Sequence, residues 1–310
     1  MGILLRAEGL TKRYGKVFAL DHVDFEIQST VTGLLGPNGA GKSTAIKLFL
    51  GLIKPTEGRA EALGQLASSS VDVRSRLGYM PEHDCLPGAV SAAEFLTHMA
   101  EVSGLPRGHA RARSADTLRH VGLFEERYRP IASYSSGMKQ RVKLAQALVH
   151  DPVLVFLDEP VAGLDPGGRE DMLELIRKTH RDFGINILLS SHIMGDVERT
   201  CERIVFLEHG HVVHEGALGT FTRETETLYV EVTARLDAFL AALRERGLEP
   251  ELDGSTVVVR DVVDAGYDAI RDALVASAAP LRRMAPRRRT LVELFRENGE
   301  LRDAELEDRG

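Results

Sequence analysis

A glycine-rich stretch of eight residues has the residue types and the spacing that bind the phosphates of a nucleotide. It fits the pattern G-x-x-x-x-G-K-[S/T] and runs Gly36-Pro37-Asn38-Gly39-Ala40-Gly41-Lys42-Ser43, with Thr44 directly behind it. Glycines let backbone N–H groups surround an anion, the lysine supplies a charge for the β- and γ-phosphates, and the serine hydroxyl is a hard ligand for Mg²⁺. The sequence therefore predicts a site for a nucleoside triphosphate.

Two further sets of polar residues follow apolar stretches that are typical of buried strands. Asp158 and Glu159 come directly after Val153–Leu157, and His192 comes soon after Ile185–Ser190. Parallel sheets place catalytic groups at the carboxyl ends of their strands, so the acidic pair could supply a Mg²⁺ ligand and a general base. Two solvated acids at a strand exit are the alternative for that pair, and a lone histidine after a strand is more often structural than catalytic.

Small polar residues also stand where a second phosphate-binding helix could begin. Ser135 and Gly137 lie in a Ser-Ser-Gly run that leads into an amphipathic stretch ending near Leu148. This signal is weak by itself, because any serine-rich helix start looks similar. Tyr14 lies about two dozen residues before the glycine-rich stretch, and the default interpretation of such a tyrosine is a half-buried aromatic side chain.

The segments around these residues predict an α/β fold with a parallel sheet. Thr30–Leu35 is patterned as a buried strand that enters the glycine-rich stretch, and a helix should start near Lys42. The positive end of that helix dipole would add to the attraction for phosphate. Residues 83–150 are mainly helical in pattern, and a capping box of Ser91 and Glu94 marks one helix start.

The two ends of the chain differ in their patterns. Ile3–Glu8 and Val23–Ile27 have the alternation of short strands, whereas the sequence beyond about Phe221 alternates short strands and helices. The second pattern is typical of a compact α+β unit. We therefore expect a nucleotide-binding domain over residues 1–220 and an accessory or regulatory α+β domain over residues 221–310.

Composition limits the class of protein. The 310 residues are 43% hydrophobic and 27% charged, as in ordinary globular proteins, and the net charge of −7 argues against a general nucleic-acid-binding surface. Cys85 and Cys201 are the only cysteines and are most simply free thiols in a reducing compartment. The first residues lack the pattern of a signal peptide, and no apolar stretch approaches about 20 residues. We expect a cytosolic protein.

Joined in this order, the motifs make the sequence resemble the ATP-binding subunits of ABC transporters over roughly residues 3–220. The stretches that carry the resemblance beyond the phosphate loop are the signature-like Tyr134-Ser135-Ser136-Gly137-Met138, the D-loop-like Gly163-Leu164-Asp165 and the switch-histidine-like Ser190-Ser191-His192. A phosphate loop alone also fits kinases, GTPases and many other ATPases, whereas this combination does not. The resemblance implies a P-loop NTPase fold of the ABC ATPase type, with a helical subdomain at about residues 83–150.

The resemblance also implies how ATP and Mg²⁺ would be held. Tyr14 would stack on the adenine, and the backbone of Gly36–Thr44 would hold the phosphates. Ser43 would bind Mg²⁺ directly, and Asp158 would bind it through water.

For hydrolysis, the resemblance assigns Glu159 as the general base on the attacking water. His192 would contact the γ-phosphate and keep the water and the base aligned. Ser135 and the N–H of Gly137 would bind the γ-phosphate of an ATP that is held by a second copy of the chain. Two copies would then face each other head-to-tail with two ATPs between them, and Asp165 would work across that interface.

Two positions depart from the family's usual pattern. Ser136 replaces the first of two usual signature glycines, while the phosphate-facing Ser135 and Gly137 are present. Glu82 stands where most relatives have a glutamine that senses Mg²⁺ and the membrane partner. A carboxylate can also take that metal position, so Glu82 is a further candidate Mg²⁺ ligand.

The partners that the resemblance implies are a second copy and a membrane protein. The C-terminal unit together with Tyr79–Glu82 and Tyr134–Arg141 resembles the exporter branch called ABC-2 type, whose ATPase subunits act on a separate integral-membrane permease. The permease would dock near His83–Phe95 and hold the chain at the cytoplasmic face of the membrane. No nucleic-acid partner is expected. The alternative is a soluble ABC ATPase that acts on ribosomes or nucleic acid; such relatives usually carry tandem cassettes or long coiled-coil insertions.

Overall fold

The computed structural model describes residues 2–28, 30–222, 224–260, 262 and 264–297. The chain divides into two compact units, with the boundary between Leu218 and Gly219. Within the described residues, no helix is both long enough and apolar enough to cross a lipid bilayer.

The first unit contains ten strands and seven α-helices among its described residues. The strands are β1 (Ile3–Tyr14), β2 (Val17–Gln28), β3 (Val31–Leu35), β4 (Glu57–Ala62), β5 (Gln65–Leu66), β6 (Leu77–Met80), β7 (Leu154–Asp158), β8 (Asn186–Ser191), β9 (Arg203–Glu208) and β10 (His211–Ala217). The helices are α1 (Lys42–Phe49), α2 (Val71–Ser75), α3 (Ala92–Val102), α4 (Arg107–His120), α5 (Ser136–Leu148), α6 (Pro166–Phe183) and α7 (Met194–Thr200), with a 3₁₀ turn at Ile131–Ser133.

A six-stranded sheet at the centre of this unit brings the predicted motifs to one edge. Its strand order is β10-β9-β3-β8-β7-β6, and all neighbours are parallel except the pair of β9 and β10. Strands β3, β7 and β8 are buried along their whole length, as their apolar sequences predict. Because these three strands are adjacent and parallel, their carboxyl ends lie side by side. The predicted α/β sheet is confirmed.

A second, antiparallel sheet of order β2-β1-β4-β5 packs over α1. The ring of Phe25 from β2 meets that of Phe49 from α1 edge to face, with 5.6 Å between ring centroids. Strands β1 and β2 each extend over twelve residues, longer than the two predicted strands. Several register shifts interrupt their pairing, which breaks the simple alternation on which the prediction depends.

Helices α3, α4 and α5 form the predicted helical segment between β6 and β7. The capping box at the start of α3 is confirmed, because the backbone N–H of Glu94 donates to Ser91 Oγ and the backbone N–H of Ser91 donates to Glu94 Oε2. Although this segment separates them along the chain, β6 and β7 are parallel neighbours in the central sheet. The helices are thus an insertion that leaves the sheet continuous.

The second unit begins within the single helical turn α8 (Leu218–Phe221) and has its own apolar core. Its elements are β11 (Glu224–Val232), α9 (Leu236–Arg244), β12 (Pro250–Asp253), β13 (Thr256–Val259), α10 (Asp264–Ser277), β14 (Leu281–Arg288) and α11 (Leu291–Glu297). The four strands form an antiparallel sheet of order β12-β13-β11-β14. From β11 to β14, the order β-α-β-β-α-β with this pairing is the ferredoxin-like arrangement.

Candidate nucleotide-binding site

The phosphate loop, Gly36–Ser43, connects β3 to α1 and is packed closely against its neighbours. Gly36 and Gly41 have backbone φ angles of 150° and 108°, in the region that favours glycine. A Cβ atom at Gly36 would lie 2.1 Å from the carbonyl oxygen of Leu207, and one at Gly41 would lie 2.3 Å from that of Ala19. Larger residues therefore do not fit at these two positions without moving the backbone.

Lys42 is the first residue of α1, which confirms the predicted helix start, and its side chain is buried. Its Nζ donates hydrogen bonds to the carbonyl oxygens of Gly36 at 2.7 Å and Pro37 at 3.1 Å. The same atom lies 3.6 Å from Oε1 of Glu159. Burial lowers the pKa of Lys42, and the negative charge of Glu159 opposes that shift. The loop thus holds an ammonium group beside the end of β7.

Asp158 ends β7 with a buried carboxylate that two hydroxyl groups hold. Ser43 Oγ donates a hydrogen bond to Asp158 Oδ1 at 3.1 Å, and Ser190 Oγ donates to the same oxygen at 2.7 Å. Ser190 Oγ also accepts a hydrogen bond from the backbone N–H of Glu159 at 2.9 Å. Ser190 is absent from the predicted site residues. The signal for it is a serine at the end of an otherwise apolar strand, next to the strand that carries the acidic pair.

Glu159 has an unusual backbone conformation and, within the described part of the chain, one carboxylate oxygen without a hydrogen bond. Its φ is 48°, a left-handed conformation that is uncommon outside glycine and is often found at functional sites. Oε2 lies 3.0 Å from Nδ1 of His192. Oε1 is buried and has no hydrogen-bond partner among the described residues. The structure thus brings together Glu159 and His192, which are 33 residues apart in the sequence, and leaves one carboxylate oxygen able to accept a proton or a hydrogen bond.

A cavity of about 310 Å³ joins the phosphate loop to these side chains. Its lining is formed by Ala19, Asn38, Gly39, Gly41, Lys42, Ser43, Thr44, Glu82, Glu159, Ala162 and His192. Three other predicted residues are hydrogen-bonded to residues of this lining. The carbonyl oxygens of Gly36 and Pro37 accept from Lys42, and the carboxylate of Asp158 accepts from Ser43. Ala40 is buried within the loop. The carboxylate-bearing Glu82 therefore shares one cavity with the loop and with Glu159.

Three predicted residues lie apart from the lining of this cavity. Tyr14 ends β1 with its side chain 50% exposed, and Lys12 Nζ lies 5.2 Å from the centroid of its ring. Ser135 is the exposed N-cap of α5, where its Oγ accepts a hydrogen bond from the backbone N–H of Met138 at 3.3 Å. Gly137 follows in the first turn of α5. In the described part of the chain, the structure does not bring Ser135 or Gly137 to the cavity of their own copy.

Helix α5 nevertheless contacts two residues of the cavity lining through side chains that sequence reasoning missed. Gln140 Nε2 donates to the carbonyl oxygen of Ala162 at 3.0 Å, and Lys143 Nζ donates to that of Glu82 at 2.7 Å. Gln140 and Lys143 are three residues apart and therefore share one face of the helix. The signal for both is a polar side chain on the buried face of an amphipathic helix.

Comparison with known proteins places the chain in a family. A family model described as ABC transporter matches residues 20–162. The linearmycin resistance ATP-binding protein LnrL of Bacillus subtilis (strain 168) is 31% identical over 284 residues, which cover 89% of this chain and 90% of that protein. The daunorubicin resistance ATP-binding protein DrrA3 of Streptomyces coeruleorubidus is 31% identical over 299 residues, with 94% of each chain covered.

A solved structure agrees on the ATP-binding cassette fold. The ATP-binding cassette MJ0796, a dimer in a post-hydrolysis state bound to ADP and Pi, matches with a TM-score of 0.63 and 25% sequence identity. This match covers 69% of our chain and 99% of the MJ0796 chain. Together with two relatives at 31% identity over at least 89% of both chains, it shows that the protein belongs to the family of ABC transporter ATP-binding subunits, which are ATPases.

Proposed function

We propose that the chain binds ATP with Mg²⁺ in the cavity beside Lys42, hydrolyses it between two copies, and drives export through a separate membrane permease. The observation that carries the site assignment is a single cavity that joins the phosphate loop, Glu159 and His192. Oε1 of Glu159, which has no hydrogen-bond partner among the described residues, lies within that site, 3.6 Å from the Lys42 ammonium. This is the combination of anion binding and proton acceptance that hydrolysis of a phosphoanhydride needs.

The phosphates of ATP would replace contacts that the loop now makes with itself. Lys42 would exchange the carbonyl oxygens of Gly36 and Pro37 for β- and γ-phosphate oxygens, and the backbone N–H groups at the start of α1 would point at the same anion. Tyr14 would stack on the adenine, for which half of its side chain is exposed.

The donor atoms beside the loop fit a Mg²⁺ ion. Ser43 Oγ and Asp158 Oδ1 are 3.1 Å apart, and Glu82 lines the same cavity. All three are hard oxygen donors, which Mg²⁺ prefers, and the ion usually completes its octahedral shell with water and substrate phosphates. When bound, Mg²⁺ would neutralise charge on the β- and γ-phosphates. Glu82 would therefore serve in the place of the neutral amide that is usual in relatives.

Glu159 would act as the general base in hydrolysis. As the oxygen of the attacking water bonds to the γ-phosphorus, Glu159 would take the proton of that water, and the bond from the γ-phosphorus to the bridging oxygen would break to give ADP and phosphate. The 3.0 Å contact between His192 and Glu159 supports a role for His192 in holding the base in line with the water.

A second copy of the chain would complete each site. Ser135 and Gly137 lie at the N-terminus of α5, which attracts anions, yet they do not line the cavity of their own copy in the described residues. The dimeric state of MJ0796, a related cassette, supports a head-to-tail pair in which these residues face the γ-phosphate of the partner's ATP. Each homodimer would hold two ATPs and two equivalent sites.

The membrane partner would be an integral permease of the ABC-2 type. The family assignment and the relatives named for linearmycin and daunorubicin resistance support an exporter, with this chain held peripherally at the cytoplasmic face. Affinity purification of the full chain from detergent-solubilised cells tests this assignment. We expect recovery of one multi-span membrane protein, ideally encoded by a neighbouring gene. Recovery of ribosomes without a membrane protein would instead support the alternative of a soluble ATPase.

The C-terminal unit, residues 221–310 in the sequence-based division, would have a regulatory or dimer-supporting role. Among the described residues, its apolar core contains none of those that form the phosphate-loop cavity. Ending the chain at Thr220 should therefore leave ATP affinity within about twofold of that of the full chain, a difference of about 0.4 kcal/mol in binding free energy. Dimerisation or the coupling of hydrolysis to the permease should change.

Binding of a fluorescent ATP analogue and the mass of the particle in solution measure the two effects separately. Complete loss of ATP binding in the shortened chain would show that the C-terminal unit belongs to the nucleotide-binding core instead.

A further inference from the structure

Lys143 is a buried cation that the hydrolysis scheme above does not use. Its side chain lies on α5 and is only 3% exposed. Nζ donates hydrogen bonds to the carbonyl oxygens of Glu82 at 2.7 Å and His83 at 3.4 Å. A buried ammonium group is costly unless it is hydrogen-bonded, so these contacts are what makes a lysine tolerable here.

The loop that follows β6 is held by α5 at a second point. Lys139 Nζ lies 3.4 Å from Oδ2 of Asp84, and the backbone N–H of Leu86 donates to Asp84 Oδ1 at 3.1 Å. Lys139 and Lys143 are four residues apart and so lie on the same side of α5. The loop is therefore attached to the helix by two lysines, one exposed to solvent in part and one buried.

The buried attachment is at the residue that enters the cavity. Glu82 lines the nucleotide cavity, and Lys143 binds its backbone rather than its carboxylate. Lys143 thus fixes the main chain of Glu82 and leaves its carboxylate out of this contact. Glu82 also adds a negative charge to the lining of the cavity that Glu159 lines, where a glutamine would add none. Lys143 supplies a buried positive charge beside the loop that carries this added negative charge.

We propose that Lys143 is a positioning residue that fixes the backbone of Glu82 so that its carboxylate contributes to the Mg²⁺ site. The inference rests on the proposed function, since it presumes Mg²⁺ and ATP in this cavity. It also gives α5 a mechanical role. The N-terminus of α5, at Ser135, would bind the ATP of the partner copy. Through Lys143, the same helix would hold Glu82, a candidate Mg²⁺ ligand of its own copy.

The test is the Lys143→Met variant, which keeps an unbranched apolar side chain as far as the ε position and removes the ammonium group. We expect the Mg²⁺ concentration for half-maximal ATP hydrolysis to rise by about 10-fold or more, the usual effect of losing a residue that orients a metal ligand. The affinity for a fluorescent ATP analogue should fall in Mg²⁺ and stay unchanged in EDTA. Lys178→Met, a change at an exposed lysine of α6, is the matched control and should alter neither quantity.

Two additional variants separate positioning from a general loss of structure. Lys143→Gln keeps a hydrogen-bond donor without the charge, and should shift the Mg²⁺ requirement less than Lys143→Met does. In a Glu82→Ala background, Lys143→Met should add no further shift, because no carboxylate remains to be positioned. Should Lys143→Met fail to fold, Lys143→Gln is carried through the same comparison.

Several results would overturn the inference. These are an equal Mg²⁺ shift from Lys143→Met with and without the Glu82 carboxylate, an equal loss of ATP analogue affinity in Mg²⁺ and in EDTA, or behaviour like that of Lys178→Met. None of these results contradicts the proposed function, provided that the unmodified chain hydrolyses ATP. If the unmodified chain fails to bind or hydrolyse ATP, the proposed function itself is wrong.

Discussion

The Glu159→Gln variant is expected to bind ATP normally, to lose steady ATP hydrolysis and to accumulate as an ATP-bound dimer. Glutamine keeps the shape of the side chain but cannot take a proton from the attacking water, and general base catalysis contributes about 10²–10⁴-fold to rate. The mutation also removes a negative charge that lies 3.6 Å from the Lys42 ammonium. Because that charge would repel the phosphates of ATP, its loss should not weaken ATP binding. Because ATP would persist between the two copies, the closed pair should no longer come apart by hydrolysis.

Phosphate release and the solution mass of the particle measure these two effects. Glu174→Gln, at an exposed position of α6, is the matched control and should behave as the unmodified chain does. The unmodified chain has a mass of 34.0 kDa, so an ATP-dependent doubling of that mass is readily resolved. Undiminished turnover by the Glu159→Gln variant would remove Glu159 as the general base.

The Lys42→Ala variant is expected to lose most of its affinity for ATP. Hydrogen bonds to charged groups contribute about 1.5–3 kcal/mol each, so the loss of two such bonds to phosphate weakens binding by about a hundredfold or more. The affinity for ADP should fall less than that for ATP, because the contact to the γ-phosphate is absent from ADP. Titration with fluorescent analogues of both nucleotides checks this order.

A control must separate the lost phosphate contact from damage to the loop. Lys42 also holds the carbonyl oxygens of Gly36 and Pro37, so the thermal unfolding of the Lys42→Ala variant without nucleotide should be recorded. Lys47→Ala changes an exposed lysine on the same helix and should retain full affinity. Retained ATP affinity in Lys42→Ala would contradict the assignment of the phosphate loop.

Local patterns were sufficient to predict the elements that carry the site. The glycines, the helix start at Lys42 and the buried strand β7 each depend on residues close together in the sequence. The paired carboxylates at the end of β7 follow from that strand. The capping box before α3 is confirmed for the same reason, since both of its partners lie within one helical turn.

Contacts between distant segments could not be predicted in this way. Ser190 reaches Asp158 across 32 positions, and Lys143 reaches Glu82 across 61. Such contacts depend on which strands become neighbours and on how α5 packs against the sheet, which no local pattern encodes. Short elements were missed for a related reason: the seven-residue helix α7 has too few turns to show a clear period.

The ferredoxin-like strand pairing of the C-terminal unit also could not be predicted from the sequence. Alternating strands and helices predict an α+β unit, and the structure has one. The pairing of β11 with both β13 and β14, however, is a matter of tertiary contact. Among the described strands of this unit, only β12 and β13 pair with their neighbour in the sequence, through a turn at Gly254 and Ser255, and this hairpin follows from turn residues.

Sharing of each ATP site between two copies is tested most directly by mixing two inactive variants. Lys42→Ala removes the phosphate contact, and Gly137→Asp places a negative charge where the partner's γ-phosphate would lie. The nearest atom to a Cβ at Gly137, Leu164 Cδ2, is 3.9 Å away, so the added side chain fits. In a mixed pair, the loop of the Gly137→Asp copy and the α5 N-terminus of the Lys42→Ala copy would form one intact site.

ATP hydrolysis by an equal mixture of the two variants is the measurement. Random pairing makes half of the dimers mixed, each with one intact site of two, so activity should recover to roughly a quarter of the unmodified rate for independent sites. A mixture no more active than the average of the two separate samples would contradict a site that is shared between copies.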